Sequence, residues 1–161
     1  MPEAVRTVQN DISGEIYMTK DILVRVRGVQ TIGEEEDTVE MITPGTYYVK
    51  NGKQYLIYDE VGTPTHNTVK VMENRIEVMK RGLVESHMIF EPGRRTTANY
   101  RTPMGLFLMG ITTSLLEVEE DEESILLRIK YSMEMNGEYA FDCNTEILAS
   151  SRKEEVLGIP M

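Results

Sequence analysis

The chain has a single cysteine, Cys143, only two histidines, His66 and His87, and no apolar run long enough to cross a membrane. One cysteine excludes an internal disulfide and fits a reducing compartment. Without a membrane-length run or a signal peptide, the expected setting is the cytoplasm, with no membrane partner. Basic residues are also scarce. Lysine and arginine number 17 against 27 acidic residues, a formal net charge of -10, and the sequence pI is about 4.7. A surface of that sign does not attract a phosphate backbone, so nucleic acid is not an expected partner. No motif sets a carboxylate or serine beside either histidine, and nothing around Cys143 lowers a thiol pKa. The two acidic runs, Glu34-Glu35-Glu36-Asp37 and Glu119-Glu120-Asp121-Glu122-Glu123 with Glu117 before it, lack the spacing and central glycine of a calcium loop. They are expected between strands, hydrated. The sequence therefore predicts no catalytic residue, no metal and no cofactor.

What the chain does have is alternation. Ile125, Leu127, Ile129, Tyr131, Met133 and Met135 occupy every second position, with mostly polar residues between them, and Tyr139, Phe141, Cys143, Thr145 and Ile147 repeat the pattern. Period-two patterning of this kind specifies strands with one face buried and one wet. A three-residue turn at Met135-Asn136-Gly137 puts Met133 opposite Tyr139, Tyr131 opposite Phe141 and Ile129 opposite Cys143. With Pro103-Met104 as a turn, Tyr100 faces Phe107, Ala98 faces Met109 and Thr96 faces Ile111. The inward face is then expected to continue through Thr113 and Leu115, with Leu115 opposite Ile125. A turn at Glu73-Asn74 pairs Val71 with Ile76, Val69 with Val78 and Lys70 with Glu77. Asn51-Gly52 closes another hairpin. Pro44-Gly45 reads either as a turn or as a kink in one long strand.

The domain organisation is correspondingly simple: an N-terminal extension over residues 1–20, a β domain over 21–148 and a C-terminal tail over 149–161. By pattern the β domain holds about ten strand segments. A chain of 161 residues is long enough to bury roughly 70% of its unfolded surface in one domain. The expected fold class is all-β, a single antiparallel meander. Closing such a meander into a barrel removes its two unpaired edges.

The succession Gly45-Thr46-Tyr47-Tyr48, Asn51-Gly52-Lys53, Tyr55, Tyr58-Asp59-Glu60, Arg81-Gly82, Met88 and Phe90, Gly93, and Tyr100 through Thr102-Pro103 to Gly105 resembles the YwiB-like family of small bacterial proteins. The likeness continues through Ile111-Thr112-Thr113, Tyr131 and Asn136-Gly137. The resemblance implies a closed calycin barrel of the lipocalin type and an uncharacterised activity. Met18-Thr19-Lys20-Asp21 resembles the usual beginning of such a protein.

The inward list Tyr100, Phe107, Met109, Tyr131, Met133, Tyr139 and Phe141 supplies bulky side chains with several phenol hydroxyls. That mix can line a pocket for a small, partly apolar ligand or pack a solid core. Arg81, Arg94, Arg95 and Arg101 form the densest basic group and are candidates for receiving an anionic head group. His87 is expected outward, beside an inward row of Val84, Ser86, Met88 and Phe90. Two functional readings follow: a non-enzymatic ligand binder, or a protein-interaction barrel with a filled interior. The oligomeric state is not legible.

Overall fold

The computed structural model describes residues 5–9 and 16–152, with side chains over residues 19–152. Its strands are β1 (Val5–Gln9), β2 (Ile16–Ile32), β3 (Glu35–Lys50), β4 (Lys53–Asp59), β5 (Thr65–Met72), β6 (Arg75–Gly82), β7 (Glu85–Phe90), β8 (Arg95–Thr102), β9 (Gly105–Glu120), β10 (Ser124–Met135) and β11 (Glu138–Ser151). Strands β2 to β11 form an up-and-down antiparallel meander, and β2 closes it by pairing with β11 on one edge and β3 on the other. The result is a closed ten-strand barrel, consistent with a calycin-like fold. Strand β1 lies outside the ring and pairs with Ile16 to Lys20 of β2. The paired strands thus overrun the boundaries at residues 21 and 148: β2 begins at Ile16 and β11 ends at Ser151.

Hairpin chemistry places the strands as their turns dictate. Val71 faces Ile76 and Val69 faces Val78 across Glu73-Asn74. Tyr100 faces Phe107, Ala98 faces Met109 and Thr96 faces Ile111 across Pro103-Met104. Residues Pro44-Gly45 lie within one continuous strand, β3.

Two bulges correct the expected register. The turn after β10 is a two-residue turn at Asn136-Gly137, with φ of 52° and 87°, so both central residues are left-handed, as a primed turn requires. Glu134 then faces Tyr139, and an extra residue, Ala140, restores the phase so that Met133 faces Phe141 and Tyr131 faces Cys143. Cys143 still shares the buried face with Ile129 and Ile111. In β9 the extra residue is Ser114: Thr113 faces Tyr131, while Leu115 faces Lys130 on the outside and Leu116 turns to the core. Ile125 consequently faces Glu120, not Leu115. The acidic runs also extend onto strands, since Glu35 to Asp37 open β3 and Glu117 to Glu120 end β9. There they form polar strand ends rather than connections.

The core is a stack of levels across the barrel. Val24, Leu56, Val69, Ile76, Ile111 and Leu127 are wholly buried, and Phe90 packs a tilted ring on Tyr131 at 4.9 Å. The lower end, which holds the turns at residues 51–52 and 73–74, is closed by Gln54, whose amide donates to the Tyr47 hydroxyl at 2.9 Å and to Glu120 at 3.1 Å.

Two stability predictions arise here. Gly137→Val should cost about 1–3 kcal/mol in chemical denaturation, because a β-branched residue is strained at positive φ. Asn136→Ala should also destabilise, since it removes the side-chain oxygen that accepts from Leu108 N at 2.9 Å, while the main-chain bond from Asn136 N to Leu108 O at 2.7 Å remains. A midpoint equal to wild type for both would contradict the turn. Second, a chain beginning at Met18 should keep its thermal midpoint within a few degrees. The ring needs β2 only from Met18, where pairing with β3 starts, and from Ile22, where pairing with β11 starts.

Candidate functional site

The barrel's upper end, which carries the turns at residues 33–34, 60–64, 103–104 and 136–137, departs from the apolar pattern. Cross-strand pairing sets Tyr58 opposite Asn67, Asn67 opposite Lys80, Lys80 opposite Ser86, Ser86 opposite Tyr100 and Tyr100 opposite Phe107. These six residues form one level, a belt across β4 to β9. Facing residues on adjacent strands are about 4.5–5.5 Å apart at Cα, so each side chain stands beside the next. The level below it is apolar, with Leu56, Val69, Val78 and Met88 in the same succession.

The belt is wired through Glu60, the first residue after β4. Its backbone N–H donates to Thr65 O at 2.9 Å, which turns the side chain back over the belt. Lys80 donates to the Glu60 carboxylate and, at 2.8 Å, to the Asn67 amide oxygen. Asn67 returns a bond to Glu60 at 3.1 Å, and the Thr63 hydroxyl donates to the other carboxylate oxygen at 2.9 Å. Asn67 is fully buried, and Lys80 and Glu60 are each about a quarter exposed. Burial pushes the Glu60 carboxyl up, but the bonds from Lys80, Asn67 and Thr63 and the Lys80 charge together outweigh it and hold the group below its ordinary value. Burial, reinforced by the Glu60 charge, pushes the Tyr58 and Tyr100 phenols up. Both phenols stay neutral donors. Two buried hydroxyls beside the network, Thr65 and Ser86, have no partner among the described residues.

The barrel wall is split above this belt. Strand β4 pairs with β3 only from Gly45 to Lys50, so residues 35–44 of β3 stand away from the β4–β5 turn. The cleft between them, of about 450 Å³, is lined by Val26, Val39, Met41, Ile42 and Val61 with Tyr58, Glu60 and Lys80. Its apolar walls and polar floor are the composition of a ligand site.

The residues nominated from the sequence divide among several places. Tyr100 belongs to the belt, and Phe107 continues it, half-buried at the rim. Met109 and Met133 are buried, and Tyr131 and Phe141 pack against them. Tyr131 borders the buried Cys143, and burial raises its phenol pKa. Tyr139 is a correction: the bulge at Ala140 turns it outward, opposite Glu134, where it is 57% exposed. The four arginines do not converge. Arg94 pairs with Glu91, Arg95 with Glu134 through two bonds of 3.2 and 3.0 Å, and Arg101 with Glu85, while Arg81 sits on the exposed face opposite His66. Arg95 and Arg101, six residues apart on β8, are separated by about 20 Å of strand. Both histidines lie outside with carboxylate partners, His66 with Asp59 at 2.8 Å and His87 with Glu77 at 2.7 Å. Among the described residues no group of three or more His, Cys, Asp or Glu side chains is placed to hold a metal ion, and no helix is long and apolar enough to cross a membrane.

The polar members Asn67, Lys80 and Glu60 escape a reading based on apolar parity, because each continues an inward row with a polar residue. The signal was nevertheless present. Extending the ladder of Val71 with Ile76 and Val69 with Val78 by one step puts Asn67 opposite Lys80.

The model of the family described as "Domain of unknown function (DUF1934)" matches residues 24–147. The chain is 31% identical over 119 residues to the "Uncharacterized beta-barrel protein YwiB" of Bacillus subtilis (strain 168), covering 73% of this chain and 84% of that protein. The crystal structure of the ywiB protein from Bacillus subtilis superimposes with a TM-score of 0.75 at 29% identity, over 83% of this chain and 92% of the other.

Proposed function

The chain belongs to the DUF1934 family, whose function is unknown, and we propose that it is a non-enzymatic binding module holding a small, partly apolar ligand in the upper cleft. The observation that carries this reading is the pair of buried, unpartnered hydroxyls, Thr65 and Ser86, beside the Glu60–Lys80 network. Buried polar groups are nearly always satisfied, and a bound molecule or water that supplies their partners fits the cleft above. The ligand's polar end meets Tyr58 and Lys80 on the cleft floor, where the belt continues from Lys80 to Ser86 and Tyr100, and its apolar body lies against Val26, Met41, Ile42 and Val61. The lower levels are packed by aliphatic side chains, which leaves the mouth rather than the barrel axis as the place for it.

Native mass spectrometry of freshly purified protein tests this. A bound small molecule is expected on the wild type, lost from the Ser86→Ala/Tyr100→Phe double variant and kept by Lys130→Ala, which lies on the outer face. Wild-type protein that carries no small molecule and takes up none from a fragment library would refute the reading. The alternative, an interaction barrel with a filled interior, is favoured by one observation: Met104, Leu106, Leu108 and Tyr139 are exposed at the same end.

A further inference from the structure

We infer that the free edge of β3, residues 35–44, is a docking strand for an extended basic segment of a partner protein. Over this stretch β3 pairs with β2 alone; β4 joins it only at Gly45, and among the described residues no turn bonds to the open side. A strand edge of this length leaves a row of main-chain N–H and C=O groups able to pair with another chain.

The side chains along this edge select the occupant. Glu35, Glu36, Asp37 and Glu40 are exposed near the tip, and Glu40 makes a 3.6 Å contact to the exposed Arg27. Nearer the barrel, Val39 and Ile42 are exposed and face Val61 across the cleft. A second copy carries the same acidic edge and the same net charge of -10, so self-pairing is opposed by charge. A segment alternating lysine or arginine with aliphatic residues meets both demands, placing its cations on the outer face beside Glu36 and Glu40 and its apolar residues on the cleft face beside Val39 and Met41, against Val61. The chain's net charge of -10 adds long-range attraction for such a partner. Glu60 lies at the cleft's inner margin but is already engaged by Lys80, so recognition rests on the edge and its acidic residues. The docked segment shares the cleft wall at Met41 and Val61 with the small-ligand reading but none of the belt's hydroxyls, so the Ser86→Ala/Tyr100→Phe variant, which loses the small molecule, should keep the peptide.

The test is fluorescence anisotropy with a short, capped, fluorescein-labelled peptide of alternating lysine and valine. Saturable binding that weakens with salt is expected, with a loss of roughly tenfold or more in the exposed double variant Glu36→Lys/Glu40→Lys. The same charge change at the lower end, Glu73→Lys/Glu122→Lys, should leave affinity within about twofold once the long-range term is screened by physiological salt. N-methylating alternate residues of the peptide should abolish binding, since it removes the main-chain donors needed for strand pairing. Hydrogen exchange should slow on residues 35–44 when the peptide is bound. The proposal is overturned if binding does not saturate, if a glutamate–valine peptide binds as well, if N-methylation has no effect, or if both charge variants lose affinity equally.

Discussion

Gly82→Ala is expected to destabilise the barrel by about 2–6 kcal/mol, the sum of a strained backbone and a displaced neighbour. Gly82 has φ of 135°, and a Cβ built on it would lie 2.2 Å from Pro64 O and 3.1 Å from the Thr65 Cα. Both contacts are backbone atoms, so no side-chain rotation relieves them. Leu83 N donates to the same Pro64 oxygen at 3.1 Å, which ties the β6–β7 connection to the turn that presents Thr65. The substitution should therefore also shift the β4–β5 turn, whose Val61 and Thr63 line the upper cleft. Gly110→Ala is the control. Its Cβ would meet only the guanidinium of Arg95, at 2.5 Å, and that long exposed side chain can move. Equal denaturation midpoints for the two variants would show that the Gly82 approach is not restrictive.

Lys80→Met should cost about 2–4 kcal/mol at pH 7, below the full value for a wholly buried pair because Lys80 and Glu60 are each about a quarter exposed. The loss comes from a carboxylate left without its cation and from Asn67, which loses a donor at 2.8 Å. The pH dependence identifies the cause. In the wild type the folded-state pKa of Glu60 lies below its ordinary value of 4.5, so its stabilisation is present above that value and is lost as pH falls through the depressed one. Without Lys80 its charge and its bond are gone, and burial, the largest influence, is opposed by Asn67 and Thr63 alone, so the folded pKa rises. The penalty on the carboxylate is then full at pH 7 and shrinks as pH falls toward the ordinary value of 4.5. The gap between wild type and Lys80→Met should therefore narrow from pH 7 to pH 4. Glu60→Gln/Lys80→Met should recover much of the loss at pH 7, because no unpaired charge remains. A gap that stays constant across this range would mean that Lys80 acts through packing of its stem.

The parts of the fold that could be read from the chain are those in which a short turn joins two alternating segments. Val69 with Val78 and Tyr100 with Phe107 follow from counting outward from Glu73-Asn74 and Pro103-Met104. The bulges at Ser114 and Ala140 were not legible, because an inserted residue shifts the phase without altering composition. Leu115-Leu116 offers an apolar side chain in either phase, so nothing local chooses between them. At Tyr139 the same shift exposes an aromatic that alternation alone assigns to the interior. The belt was half legible: Tyr100 and Ser86 were assigned inward, whereas Asn67 and Lys80, on the same parity as Val69 and Val78, carry polar side chains that alternation of apolar residues does not pick out.

By itself, the sequence determined the all-β class, the antiparallel succession and which face of most strands is buried, because period-two burial and turn geometry act between neighbouring residues. Only the tertiary structure decided where the barrel stays open and what stands beneath that opening. Glu60, Asn67 and Lys80 come from the turn after β4, from β5 and from β6 respectively, and a buried charge is tolerable there only because its partners arrive at the same level. The free edge of β3 is decided in the same way. Its exposure follows from where β4 ends its pairing, at Gly45 with Tyr58, which is a property of the closed ring and of no segment alone.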